Sequence, residues 1–544
     1  MSSKLRIIPL GGCGEIGKNM TAIEYDDHIL IIDAGIMFPE NDMLGIDYII
    51  PDYNYLMDKL DKIEGILFTH GHEDHVGAVG HVMKDIKAPI YATPLTVGLL
   101  ENKLQRAGLL KSVTINPIQA GDVFQVGIFT VEPFHMAHSI PDCVGFGIGT
   151  PAGLIVHSGD YKFDHTPVDG WPPDFAKLAE FAHRGVLCLM ADSTNAEREG
   201  WTLSESVITA ALDDVFSVAE GRVIVASFAS LVSRIQQVAN AAYKHGRKLA
   251  ITGRSMRDTV NIARKLGYID IPDNMLIDIS ETSKLPANQV TVMATGAQGE
   301  PTSVMGRLAH GRHPHLNIQA GDTVILSAHA IPGNEETVTN IINRLLQRGA
   351  NVLYEDIARV HVSGHASREE MKLLINLVRP KFLIPVHGER RHLVQHAKLA
   401  EQMGIPKDNI AIVENGTVIE LTSTTMSIGE RIPGGHVYVD GSGVGDIGRK
   451  VMRDRERLAE SGFFMAAVGS NGTGQLLGKP EYITRGLINM DEEWESEITE
   501  VVTRVMELHG RKAEKRVSSF IEEAISRYLY NETGKRPMVF VVLK

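Results

Sequence analysis

EGILFTHGHEDHVGAVG, residues 64–80, carries an apolar strand pattern straight into His70, His72, Asp74 and His75. Three imidazoles and an aspartate within residues 70–75 form the donor set that suits zinc and its first-row neighbours. If the chain leaves the strand as a loop and then opens a helix, His70 and His72 face one point. Asp74 and His75 then face a second point beside it. A solvated polar loop is the competing reading, and the density of ligand types at a strand end weighs against it.

One loop cannot complete two metal sites, so further ligands must come from elsewhere. Other apolar strands along the chain also end near a ligand-type residue. FTVEPFH is followed by His138, GLIVHSGD ends on Asp160, and KFLIPVHGE delivers His387. Singly, each is a turn or core residue. Together with the first cluster they supply a full ligand set, in which Asp160 can bridge two ions about 3.5–4 Å apart. LRIIPL, HILIID (ending on Asp33), APIYA and VLCLMAD (ending on Asp192) complete a set of buried strands. A layered α/β fold places its ligand site at such strand ends.

From about Leu203 the texture changes to strand–helix alternation. GRVIVASFAS leads into LVSRIQQVANAAYKHG, followed by KLAITG, a helix through NIARKLG, VTVMATG, and DTVILSA before a helix from Gly333. This predicts a small doubly wound parallel domain ending near residue 355. NVLYED, ARVHVSGHAS and KFLIPVHGE then return to the earlier pattern, with strands leading to histidines. One domain inserted in another explains the interruption and return. Residues 422–448, rich in Ser, Thr and Gly, read as a linker. Beyond it, Trp494, Ile498, Val501 and Val505, then Val517, Ile521, Ala524 and Leu529, predict two amphipathic helices before a final strand, PMVFVVL.

At 544 residues and 43% hydrophobic the chain is ordinary globular material for about three domains, which excludes disorder as its dominant state. Cys13, Cys143 and Cys188 are too few and too scattered for a disulfide framework. No leader pattern and no apolar run near 20 residues is evident, so a cytoplasmic location without membrane attachment is expected. The net charge of −13 argues mildly against nucleic acid, although a local basic groove can sit on an acidic body. PLGGCGEIG precedes Asn19 and a strand rather than a long helix, so it is no dinucleotide fingerprint. Cys13 is expected to pack at the strand end.

With these residues quoted, the chain resembles the metallo-β-lactamase superfamily, and its insertion resembles the β-CASP branch of nucleic-acid-cutting enzymes. From end to end it is similar to the bacterial ribonuclease J family. The matching stretches include PLGGCGEIGKNM, DAGIMFPE, THGHEDHVGA, HSIPD, GDYKFD, ADSTN, SFAS, GRSM, TGAQGEP, IPGNE, HVSGHAS, PVHGE and RYLYNETGKRPM. The resemblance implies an α/β fold: an αββα sandwich (1–204 and 356–425) with an inserted doubly wound domain (205–355). A linker (426–452) and a small C-terminal α+β domain (453–544) follow.

It also implies two Zn2+ per subunit, with Mn2+ or Mg2+ as supporting ions. His70, His72 and His138 would hold one, Asp74, His75 and His387 the other, with Asp160 bridging and a shared hydroxide attacking phosphorus. Asp192 and His365 match the branch's extra acid and histidine, with His365 oriented by Asp192 toward the phosphate. His361-Val362-Ser363-Gly364-His365 makes physical sense as an anion cradle: a hydroxyl, a glycine, and a helix starting near Arg368. The resemblance joins it to Ser227 and Ser230 in holding RNA. The implied activity is hydrolysis of single-stranded RNA, 5′-to-3′ from monophosphate ends and internally, in RNA maturation and mRNA decay. The implied partners are a second copy or more through the C-terminal domain, as dimer or tetramer, and RNA-decay proteins.

Leu231, Val232, Ser233, Ala297, Ala328 and His329 depart from the family pattern at RNA-contact stretches. His135 does not match a ligand position. The basic residues Arg504, Arg511, Lys512, Lys515, Arg516, Lys535 and Arg536 alternate with Glu and read first as a solvated face. Of three rivals, the inserted domain and the HVSGH segment speak against a small-molecule metallohydrolase, and the intact ligand set speaks against an inactive RNA-binding scaffold; a DNA nuclease of the same branch stays possible on chemistry alone.

Overall fold

The computed structural model describes residues 4–40, 42–300, 302–331, 334–471, 475–487 and 492–544. Two compact units emerge, one of residues 1–38 and 48–437, the other of residues 39–47 and 438–544.

The larger unit is built on two mixed sheets. The first has eight strands, in the order Met426–Arg431, Thr417–Leu421, Leu5–Gly11, Met20–Tyr25, His28–Ile32, Ile63–Leu67, Ile90–Ala92 and Ile115–Pro117. The second has six, in the order Phe382–Val386, Val186–Asp192, Gly153–His157, Val144–Thr150, Phe129–His135 and Phe124–Val126. Period-2 alternation sorts each strand between two layers. In Val186–Asp192 every residue is buried; Cys188 and Met190 join a core shared with Ile7, Ile23, Leu30 and Ile32 of the first sheet. Leu189 and Ala191 face Leu178, Phe181, Met371 and Leu374 of the covering helices.

Strand direction then fixes where chemistry can gather. In the second sheet Gly153–His157, Val186–Asp192 and Phe382–Val386 pair in parallel, and Val144–Thr150 runs against both its neighbours. Four C-terminal strand ends therefore share one edge. In the first sheet His28–Ile32 and Ile63–Leu67 are also parallel, bringing Asp33 and His70 to a common end.

Residues 223–353 form a six-stranded, wholly parallel sheet. One face packs on helices through Val232, Ile235, Val238 and Val260, the other through Val304, Leu308, Ile341 and Leu345. The helix expected from Gly333 spans Glu335–Gln347, and Gly333 itself lies outside the described residues.

Three expectations are corrected. ARVHVS is not a strand: the Val360 carbonyl accepts from the Arg234 guanidinium at 2.7 Å and Ser327 Oγ at 2.8 Å, so side chains replace a ladder. The stretch 426–452, expected as a linker, carries Met426–Arg431, which extends the first sheet, and the helix Arg449–Ser461 begins inside it. In the smaller unit the buried stripes are Ile498, Val502, Met506 and Val517, Ile521, Ile525, Leu529. Val501 and Ala524 sit one position off them. These stripes cover one face of a three-stranded sheet through Phe464, Ala466 and Val468.

Candidate metal centre

Ile63–Leu67 ends at the shared sheet edge, and a short helix, Glu73–Val76, opens immediately after His72. The chain turns there as its spacing predicts. His70 Nε2 and His138 Nε2 each lie 3.1 Å from His72 Nδ1, and 3.6 and 3.7 Å from Asp160 Oδ2. On the other side, His387 Nε2 lies 3.1 Å from Asp74 Oδ2 and 3.6 Å from Asp160 Oδ1. His75 Nε2 is 3.2 Å from Asp160 Oδ2. Two groups result, His70/His72/His138/Asp160 and Asp74/His75/Asp160/His387, each with its ligand atoms within 4.8 Å of one another and with Asp160 in common. A third group of that size joins Asp160, Asp192, His365 and His387. There, however, Asp192 Oδ2 is taken at 2.7 Å by His365 Nδ1, which makes Asp192 an orienting carboxylate.

The outer nitrogens show that the rings are aimed. His75 Nδ1 donates to Asp33 at 2.8 Å, His138 Nδ1 to the Gly364 carbonyl at 2.8 Å, and His387 Nδ1 to Thr194 Oγ1 at 2.7 Å. His70 Nδ1 meets Thr69 Oγ1 at 3.0 Å, and that hydroxyl also contacts Asp33. Such contacts fix each tautomer so that the inward nitrogen carries a lone pair. Burial holds His70 and His138 well below the usual imidazole range and His72 near 4, so all three are neutral bases. Burial opposes charge on His75 and His387 too. There Asp160 leads the neighbouring carboxylates in overcoming it, lifting His75 well above its ordinary value and His387 to about 9. A proton and a divalent cation thus compete for the same lone pairs. Converging imidazole and carboxylate donors, with the outer nitrogens of His70, His75, His138 and His387 anchored, fit such a cation.

Asp33, at φ +62°, also takes the Thr69 N–H at 2.9 Å, linking two strand ends through one carboxylate. Asp33→Asn is expected to weaken Zn2+ affinity about 10–100-fold with the fold retained. Calorimetric titration of Zn2+ checks this, and unchanged affinity contradicts it. Asn19 Nδ2 reaches the Asp74 carbonyl at 3.1 Å and the inward His75 Nε2 at 3.2 Å, so the PLGGCGEIGKN loop reaches the edge of the cluster itself. Glu370 is buried and gathers the N–H groups of Phe163, Thr202 and Ser367 at 2.7–2.8 Å. None of Asn19, Asp33 or Glu370 was among the expected site residues. Asp33 did end a buried strand, which was the available signal.

His365 lies over the cluster, its ring 5.0 Å from His138 and 5.4 Å from His387. Burial opposes its charge, and Asp192 outweighs that to raise its pKa. Ser363 Oγ accepts from Asn195 Nδ2 at 2.8 Å, and the His365 carbonyl accepts from Thr202 Oγ1 at 2.7 Å. Gly364 has a role the sequence did not suggest: a Cβ there would sit 2.6 Å from His138 Cε1. Gly364→Ala should push His138 aside and lower kcat/KM about a hundredfold. Cleavage kinetics on RNA, the substrate that the family resemblance implies, read this directly, and wild-type kinetics would contradict it.

His361 is largely buried and held near 3 by that burial, and Val362 packs into the core. Ser227 is buried at the end of Val223–Ala226, and Ser230 is half-buried in the next turn. Leu231, Val232 and Ala297, three of the departures, are buried in the inserted domain's core. Cys13 is buried as well, its thiol pushed up to about 12 by that burial. His135 Nε2 contacts the Trp171 carbonyl at 2.9 Å and belongs to neither group.

Comparison with known proteins agrees with this architecture. Residues 28–226 match the beta-lactamase superfamily domain, 220–345 the ribonuclease J beta-CASP domain, and 349–411 the Zn-dependent metallo-hydrolase RNA specificity domain. Residues 450–544 match the ribonuclease J C-terminal domain. Ribonuclease J of Thermus thermophilus is 43% identical, over 99% of this chain and 95% of its own length. Ribonuclease J of Synechocystis is 42% identical over 99% and 86%, and ribonuclease J2 of Bacillus subtilis 39% over 100% and 99%. A solved Enterococcus faecalis protein of unknown function shares the fold, at a TM-score of 0.54 and 16% identity, covering 77% of this chain and all of its own. A metallo-β-lactamase domain with an inserted β-CASP domain and a ribonuclease J C-terminal domain is the architecture of this chain, which belongs to the ribonuclease J family.

Proposed function

We propose that this metal-dependent nuclease hydrolyses single-stranded RNA, stepping 5′-to-3′ from monophosphate ends and also cutting internally, in RNA maturation and mRNA decay. The convergence of seven donors on two points sharing Asp160, directly beneath His365, carries the reading. His70, His72 and His138 would hold one Zn2+ and Asp74, His75 and His387 the second, with Asp160, common to both groups, serving each. Mn2+ or Mg2+ can substitute. Divalent ions bound there supply Lewis-acid chemistry, acidifying water and neutralising charge on a phosphodiester.

The chain's own part is aim and proton handling. Outer-nitrogen anchors keep the imidazoles from swinging, so the donors are preorganised rather than recruited. Asp192 holds His365 Nδ1–H and leaves Nε2 to face the scissile phosphate, where it donates a proton to a non-bridging or leaving oxygen. Ser227, Ser230 and the segment His361, Val362, Ser363, Gly364 hold the RNA backbone.

Self-association as dimer or tetramer uses the C-terminal domain. Its sheet leaves Ile483, Phe540 and Val542 exposed on the face away from the helices. RNA-decay proteins are further partners, in the cytoplasm; among the described residues no helix is long and apolar enough to cross a membrane.

A 3′-labelled single-stranded RNA, bearing a 5′-monophosphate or a 5′-triphosphate, tests the activity with Zn2+ or Mn2+ present. The expected result is a ladder shortening from the 5′ end, faster for the monophosphate, with some internal cuts. Metal-loaded protein that leaves both RNAs intact contradicts the proposal.

A further inference from the structure

The outer flank of the catalytic domain carries a groove with no assigned role. It has a volume of about 400 Å³ and runs between the helices Arg368–Val378 and Arg390–Gln402. Arg368, Lys372 and Lys398 line it, with Gln395 and Gln402 beside them. Glu199 and Glu369 also line it; Arg368 pairs with Glu199 at 3.2 Å and Lys372 with Glu369 at 2.7 Å. Arg368, Lys372 and Glu369 are half-buried and Glu199 exposed, so these pairs are weak surface pairs. Lys398 reaches solvent. Three basic and two acidic side chains thus line the groove, a small local excess of positive charge on a chain of net charge −13, with Lys398 outside both of these pairs.

Gly200 forms one lip of the groove, and the next residue, Trp201, is 50% exposed. Its ring meets that of His165 at 6.0 Å, and His165 stacks on Phe175 at 5.9 Å, so Trp201 stands on an aromatic base. A cationic groove beside an exposed flat ring is the pairing that binds single-stranded nucleic acid, with phosphates in the groove and a base on the ring.

The groove is tied to the metal centre through the loop that forms its lip. Arg368 N–H donates to the Arg198 carbonyl at 3.0 Å and Glu369 N–H to the Gly200 carbonyl at 3.1 Å, seating the helix start on this loop. Thr202, next to Trp201, holds the His365 carbonyl. The loop itself leaves the strand that ends on Asp192, at the same edge as His138, Asp160 and His387.

We infer that Arg368, Lys372, Lys398 and Trp201 form a subsite for the backbone and one base of single-stranded RNA beyond the scissile bond. This rests on the ribonuclease reading above. It gives long RNA a foothold that a trinucleotide cannot use.

KM is measured for a 5′-phosphorylated 20-nucleotide RNA and a 5′-phosphorylated trinucleotide at several salt concentrations, in wild type, Lys372→Gln/Lys398→Gln, Trp201→Ala and Trp201→Tyr. The lysine pair is expected to raise KM for the 20-mer about tenfold or more, and to reduce the log–log salt slope by about 1.4. Trp201→Ala raises it by about fivefold or more and Trp201→Tyr restores it, because a second aromatic ring still stacks. KM for the trinucleotide rises far less than for the 20-mer.

Equal rises for both lengths, an unchanged salt slope, or a tyrosine variant as impaired as alanine overturns the inference. A change in oligomeric mass by light scattering without a change in KM does so too, and assigns the surface to contact between copies. Wild-type protein that cuts neither RNA sinks the ribonuclease reading instead, before any variant is compared.

Discussion

Asp160→Asn is expected to lower RNA cleavage by at least about a thousandfold and to cut bound zinc below one ion per chain. No other residue belongs to both ligand groups, and Asp160 contacts the rings of His70, His75, His138 and His387 at 3.2–3.7 Å. Asparagine keeps the shape and offers one carbonyl in place of a bridging carboxylate, so volume is conserved while the charge that holds two cations together is lost. Removing a one-sided ligand, as in Asp74→Ala or His75→Ala, should also abolish cutting while single-stranded RNA still binds. Cleavage rate and metal content by elemental analysis report together. Near-normal cutting by Asp160→Asn, or full metal content with normal rate, contradicts the ligand assignment.

His365→Ala should behave differently. His365 is held by Asp192 and lies over the cluster rather than within its two ligand groups. Its loss is expected to lower kcat about a hundred- to thousandfold, the usual contribution of a positioned proton donor, with zinc content unchanged. Asp192→Asn should reproduce much of that fall, since an amide no longer favours the imidazolium that His365 becomes when charged. Zinc released from His365→Ala would make His365 a ligand and would favour the third group, in which it joins Asp160, Asp192 and His387.

The residues of the cluster were legible because metal chemistry restricts residue type and the strand pattern restricts place. His70 to His75 announce themselves locally, and His138, Asp160 and His387 each follow an apolar run at a C-terminal strand end. Supporting residues escape that logic. Glu370 sits on a helix face that reads as surface, and only the fold shows it buried and collecting N–H groups from three separate segments. Gly364 looked like a phosphate-approach glycine, whereas the crowding comes from His138, distant in sequence.

The helix stripes held at Ile498, Val517, Ile521 and Leu529 and slipped by one residue elsewhere for a simpler reason. Val501 and Val502, like Ala524 and Ile525, are adjacent apolar residues, so periodicity alone permits either to face the core; packing against Phe464, Ala466 and Val468 selects the second of each pair. ARVHVS has strand composition yet is held by Arg234 and Ser327, a tertiary override that composition cannot reveal.

The proposed mechanism requires that the two residue groups meeting at Asp160 each take up a divalent ion before RNA is cut. The most direct test is a titration of Zn2+ into chelator-stripped protein, with bound metal and RNA cleavage read at each step. Cleavage is predicted to return as the second equivalent binds and to saturate at two ions per chain. Full cleavage at one equivalent, or none at two, would contradict the shared-ion mechanism.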